Sequence, residues 1–207
     1  MTTYPVLNVR EGSHDPWPEL VDNRPIDPYR HDLVVRVVAD LAERLSLDDP
    51  LIADFGCGDG VTLGRLHDAG FRRLLAVDHS EVGLERARGK APDAVLIRAD
   101  LTTMEPPAGA GCDIAICTEV LEHLPHDDDV ARTMGLVAAA LNPSGWAVIS
   151  VPDDSICGID DDHRRLFTPD DPRRLLEAAG FVDVEEIRYH YSAAYPWPWM
   201  TAIGRKP

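Results

Sequence analysis

The chain has 207 residues, is 44% hydrophobic, and sets 36 acidic against 20 basic residues for a formal charge of −16. That length and apolar content allow one sizeable α/β core, while the charge opposes a polyphosphate backbone, so nucleic acid is not an expected partner. No apolar run approaches the ~18 to 20 residues that span a bilayer, which argues against membrane insertion.

Residues 1–27 are rich in Pro, Asp and aromatics without a clean period and read as an irregular N-terminal arm; residues 28–207 read as a single domain. The first twenty residues lack the basic-then-apolar layout of a secretory leader. Asp27 is a helix cap, Pro28 suits the first helical position, and Leu33, Val34, Val37, Val38, Leu41 and Leu45 recur at helical spacing, predicting a helix over about 28–46. From residue 51 the pattern changes to short apolar runs at 51–55, 73–78, 94–100, 112–117, 146–152, 183–191 and 199–205. Helical segments fall near 61–69, 80–89, 127–141 and 169–179. Such alternation predicts a doubly wound α/β fold with a seven-stranded, mostly parallel sheet. Only "SAAYPWP" separates the last two strands, so they should form a C-terminal antiparallel hairpin. Cys57, Cys112, Cys117 and Cys157 form no C-x-x-C pair and read as reduced thiols of a cytoplasmic protein.

The first of these strands runs into "ADFGCGDG". In an open α/β sheet ligands bind beyond the carboxyl ends of the strands, so this turn is the place to look. A dinucleotide fingerprint needs G-x-G-x-x-G, but counting from Gly56 reaches Val61 and counting from Gly58 reaches Leu63. A phosphate-binding P-loop needs a lysine that is absent here. Asp54 and Asp59 would repel a pyrophosphate and attract an ammonium group, while the helix start after Gly60 could hold a carboxylate. An NAD-dependent oxidoreductase is therefore a weaker reading than an enzyme for a ligand with an amino-acid end.

These motifs resemble, in order, those of the class I S-adenosylmethionine-dependent methyltransferases, and among them the ubiquinone-type O-methyltransferase group. The resemblance rests on "ADFGCGDG", "LLAVD" ending at Asp78, "IRADL" with Asp100, "CDIAICTEVLEHL", "LNPSGWAVISVP" and "HRRLFTPDDPRRLLEAAGF". It implies a Rossmann-like fold and S-adenosylmethionine as cofactor, with contacts from Asp54, Gly56, Cys57, Gly58, Gly60, Asp78, His79, Asp100, Leu101 and Thr118. Asp78 would take both ribose hydroxyls and Asp100 the adenine amino group. Ser144 stands where the family more often has glycine.

"TEVLEHLPHDDD" follows the fourth strand and carries the candidate catalytic residues, His123 and Glu119. In one helical turn, Glu119, Glu122 and His123 would share a face. Three readings stand. One acid caps a helix or contacts the cofactor while His123 is structural; or His123 is a general base, suited to that work by its ordinary pKa of ~6.5. Or Glu119, Glu122 and His123, joined by His163, hold Mg²⁺ or Mn²⁺, as such residues do in ubiquinone-type and small-RNA 2′-O-methyltransferases.

Acceptor contacts are expected outside the shared core: from Tyr4, Trp17 and Tyr29, from loop 153–165, and from Tyr189, Tyr191, Tyr195, Trp197 and Trp199. The acid runs Asp127–Asp129 and Asp160–Asp162 read as solvated loop charge. The expectation is a methyltransferase acting on oxygen or nitrogen of a small-molecule acceptor, as monomer or homodimer. A metal-dependent RNA 2′-O-methyltransferase and a non-catalytic cofactor-binding subunit are the alternatives.

Overall fold

The computed structural model describes residues 6–7, 28–106, 111–153, 163–188 and 199–207. The chain falls into two compact units, Met1–Glu105 and Pro106–Pro207.

The first unit contains β1 (Val6–Leu7), α1 (Pro28–Leu45), β2 (Ile52–Phe55), α2 (Val61–Asp68), β3 (Leu74–Asp78), α3 (Glu81–Lys90) and β4 (Val95–Ala99). Its strands are parallel, in the order β1-β4-β3-β2. Every residue of β2 and β3 is buried, as expected of parallel strands covered on both faces, which read as continuous apolar runs. The sequence missed β1: two residues pairing with β4 are too short to show a period, and they lie within the arm read as irregular. On α1, Val34, Val38 and Leu41 turn one fully buried stripe inward, and α1 packs on α2, which packs on α3. Because β2, β3 and β4 run side by side and parallel, the turns that follow them emerge at one edge of this sheet.

The second unit contains β5 (Cys112–Thr118), a 3₁₀ turn (Leu121–His123), α4 (Asp127–Ala140), β6 (Leu141–Pro152), α5 (Asp171–Ala178), β7 (Val182–Arg188) and β8 (Trp199–Arg205). The order is β5-β6-β8-β7; β5 and β6 are parallel, whereas β8 is antiparallel to both β6 and β7. The expected C-terminal antiparallel pair thus forms. β6 begins at Leu141, earlier than the apolar run suggested, because the pairing shifts register between Cys112 and Ile114 and resumes at Trp146. Ser144 lies within this irregularity at φ 65°, a left-handed conformation that explains a preference for glycine there. Among the described residues no helix is long and apolar enough to cross a membrane.

Candidate active site

At the carboxyl edge of the first unit, the glycine turn is built from left-handed backbone: Gly56, Gly58 and Gly60 have φ of 84°, 54° and 77°. The N–H groups of Gly56 and Cys57 both donate to the Val77 carbonyl, at 2.7 and 3.1 Å. The Gly58 N–H donates to Asp78 Oδ2 at 2.8 Å, and the Ser80 N–H to Asp78 Oδ1 at 2.9 Å. Asp78 is thus gripped through both oxygens at the end of β3. A carboxylate, an acceptor-only group with about four lone-pair sites, is chemically suited to a vicinal diol.

Asp54, at 2% exposure, is the penultimate residue of the neighbouring strand β2. Burial, and then the charge of Asp78, push its carboxyl up to about 7, so it keeps its proton well above the ordinary carboxylate range. A cationic ligand group placed against it would favour the ionised form. Cys57 lies in the turn with its thiol pushed well above the ordinary range by removal of the sulfur from water and by Asp78 and Asp54, which makes it no nucleophile. His79 is about one-third exposed, and its carbonyl accepts from Arg98 Nε at 3.1 Å. After β4, Asp100 Oδ1 accepts from the Thr102 N–H at 2.8 Å and from its hydroxyl at 2.6 Å, with Leu101 buried between them. The structure therefore gathers Asp54, Gly56, Cys57, Gly58, Gly60, Asp78, His79, Asp100 and Leu101 along one sheet edge. Asp59 departs from its expected part: Lys90 Nζ lies 2.9 Å from its Oδ2 and already supplies the cation.

In the second unit, Thr118 ends β5 and pairs with Ser150 of β6. Glu119 then turns left-handed at φ 58°. Its N–H donates to the Ser150 carbonyl at 3.1 Å, and its Oε1 accepts from the Ser150 hydroxyl at 2.8 Å. The helical turn starts only at Leu121. Glu119 consequently does not share a helical face with Glu122 and His123: its backbone is left-handed, and its carboxylate accepts from Ser150 of β6.

Glu122 is fully buried, while His123 is 47% exposed with Nε2 3.9 Å from Glu122 Oε1. The His163 ring meets that of His123 edge-on, with centroids 5.4 Å apart. One ligating atom from each of Glu122, His123 and His163 falls within 4.8 Å of the others, a grouping that leaves Glu119 out. The chain after His163 is fastened to this turn. The Arg164 N–H donates to the Glu122 carbonyl at 2.7 Å, and Arg165 reaches the Leu124 carbonyl and Asp127. Asp127–Asp129 are not loop charge but the first turn of α4, where acids oppose the positive end of the helix dipole.

Sequence reasoning missed Thr102, Lys90 and Ser150. Ser150 had a signal, as a lone hydroxyl inside the apolar run "WAVISVP"; Lys90 had none, because its partner is brought near only by the packing of α3. Tyr4, Trp17, the side chain of Tyr29, Cys157, Asp160–Asp162, Tyr189, Tyr191, Tyr195 and Trp197 lie outside the described residues.

Residues 28–186 match the family described as methyltransferase domain. Among curated proteins, the chain is 28% identical over 120 residues to a trans-aconitate 2-methyltransferase of Escherichia coli O1:K1, covering 57% of this chain and 46% of the relative. It is 29% identical over 140 residues to a ubiquinone biosynthesis O-methyltransferase of Bordetella avium, covering 66% and 54%. The chain thus spans about half the length of these relatives. The crystal structure of the N-methyltransferase NodS from Bradyrhizobium japonicum WM9, in complex with S-adenosyl-L-homocysteine, superposes with a TM-score of 0.70 at 19% identity over 95% of this chain and 94% of that one. That likeness shows the fold. With the family match across most of its length, this chain belongs to the methyltransferase-domain family.

Proposed function

We propose that this enzyme methylates an oxygen or nitrogen of a small-molecule acceptor, with His123 as general base. The observation that carries this reading is an imidazole half open to solvent with a buried carboxylate, Glu122, 3.9 Å behind its Nε2. An exposed ring can meet an acceptor O–H or N–H, and the carboxylate stabilises the imidazolium that results. When bound, S-adenosylmethionine supplies a methyl group already activated by its sulfonium. The chain's own residues then have to bind and orient the reactants and move one proton. Asp54 and the glycine turn receive the amino-acid end, Asp78 the ribose and Asp100 the adenine amino group, while Glu119, fixed by Ser150, orients groups beside the proton acceptor. The net charge of −16 favours a small acceptor over RNA. The curated relatives whose names specify a small acid and ubiquinone biosynthesis support the same acceptor class.

The test is S-adenosylhomocysteine release by the full chain with trans-aconitate, a catechol, a primary amine and a short RNA, each with EDTA and with added Mn²⁺. The expected result is turnover on one of the small acceptors in EDTA, lost in His123→Ala. Turnover on RNA alone, or wild-type turnover in His123→Ala, would overturn it.

The grouping of Glu122, His123 and His163 favours a second reading, in which they hold Mn²⁺ or Mg²⁺. Those three side chains would be the ligands, and the ion would supply Lewis-acid polarisation of the acceptor oxygen. Activity abolished by EDTA, restored by Mn²⁺ and lost in His163→Ala is what this reading requires.

A further inference from the structure

We propose that Lys90 is a positioning residue for the cofactor cradle, a latch that closes a ring of contacts between the glycine turn and the ribose-binding carboxylate. The proposal rests on the reading that Asp78 and the glycine turn hold the cofactor.

The ring can be followed atom by atom within the first unit. Asp78 Oδ1 accepts from the Ser80 N–H at 2.9 Å, and the Ser80 hydroxyl oxygen caps α3 by accepting from the Gly83 N–H at 2.9 Å. The helix carries this connection over its 10 residues to Lys90. There Nζ donates to the Asp59 carbonyl at 2.6 Å and to Asp59 Oδ2 at 2.9 Å. The preceding residue, Gly58, returns its N–H to Asp78 Oδ2 at 2.8 Å. Both carboxylate oxygens of Asp78 are therefore held, one by each end of the same loop of contacts.

The same helix also bears directly on the turn. A Cβ at Gly60 would lie 2.5 Å from the Ala87 Cβ, and one at Gly64 would lie 2.9 Å from the Lys90 Cβ. Real Cβ atoms do not approach so closely, so the glycines allow α3 to seat against the turn, with the Lys90 stem passing over Gly64. The ammonium then reaches forward to Asp59. A lysine suits this task because its three donors can serve a carbonyl and a carboxylate at once. Without it, the turn keeps its glycines and the direct bond from Gly58 to Asp78 but loses the second tie, through α3 to Asp59, and the ligand must order that side of the turn on binding.

The pair is partly exposed, 36% for Lys90 and 23% for Asp59, so the effect should be modest. By calorimetry with S-adenosylhomocysteine, Lys90→Met in the full chain should weaken binding by about threefold to tenfold. Methionine keeps the stem over Gly64, so the melting temperature should stay within about 2 °C. Lys90→Arg should restore wild-type affinity, because it can donate to the same Asp59 carbonyl and carboxylate. Unchanged affinity in Lys90→Met overturns the proposal, as does a loss in Lys90→Arg equal to that in Lys90→Met, which would show that the donated hydrogen bonds are not what matters. Asp78→Ala separates the two readings. If it binds normally, the cradle assignment fails; if it is weakened while Lys90→Met is not, only the latch fails.

Discussion

The two units use left-handed backbone differently. In the first, the described residues with positive φ are Gly56, Gly58, Gly60 and Gly70, with Ser46 the exception; in the second they are Glu119, Ser144 and Asp183, with only Gly180 among them a glycine. Glycine takes this conformation without a steric penalty, so the turn after β2 can present bare N–H groups to Val77 and Asp78 at no local cost. A glutamate in the same conformation costs about 1 to 3 kcal/mol and persists only where its surroundings hold it. At Glu119 the Ser150 carbonyl and hydroxyl do so. The cradle in the first unit is thus made largely of backbone donors aimed at carboxylates. The turn in the second is made of side chains, one of them kept against its backbone preference.

This contrast breaks most sharply at His123. His123→Ala should lower kcat by about 10² to 10⁴ on the acceptor identified, with S-adenosylhomocysteine affinity within twofold of wild type by calorimetry. A variant that loses both together would mean the second unit's turn is also part of cofactor binding. Next in size, Asp78→Ala should weaken S-adenosylhomocysteine binding by about 1 to 3 kcal/mol, roughly fivefold to 150-fold, because it removes a charge-assisted partner. Unchanged affinity would sink the ribose assignment.

A third effect depends on pH. Asp54 is raised to about 7 from 3.8, so between those values the unfolded chain has lost a proton that the folded protein keeps. Stability conferred by this group is therefore full below about pH 4 and declines as pH rises towards 7. Asp54→Asn should remove that decline, and its melting temperature should exceed wild type at pH 8 by more than at pH 4. Its S-adenosylhomocysteine affinity should fall, because the carboxylate that meets the ammonium is gone. In wild type, affinity should improve as pH rises through about 7; a flat profile would dissociate Asp54 from the ligand. The smallest effect tests strain alone: Ser144→Gly should stabilise the protein by at most about 1 kcal/mol, with turnover unchanged. Loss of stability in urea titration would show that the Ser144 side chain carries a contact that outweighs its φ of 65°.

Much of the first unit was legible in the sequence. The apolar runs at 51–55, 73–78 and 94–100 gave β2, β3 and β4 to within two residues; β2 and β3, buried along their whole length, have few polar positions to blur the pattern. The glycine spacing and its acids argue against phosphate from the sequence itself. The second unit was less legible around Glu119. The spacing of Glu119, Glu122 and His123 suited a helix, but periodicity does not report the backbone conformation at its first member. Glu119 is left-handed there and is bonded to Ser150, 31 residues along the chain.

From β2 onward, the order of strands and helices along the chain, the acidic glycine turn and the acids at or beside successive strand ends were determined by the sequence alone. These are local matters, set by hydrophobic period and by glycine's freedom at positive φ. The tertiary structure decided which charges meet. It paired Asp59 with Lys90, buried Asp54 beside Asp78, set His163 against His123 and drew Glu119 to Ser150. Contacts between residues distant in the chain are fixed by how α3 and the parallel strands pack, and no local pattern encodes that packing.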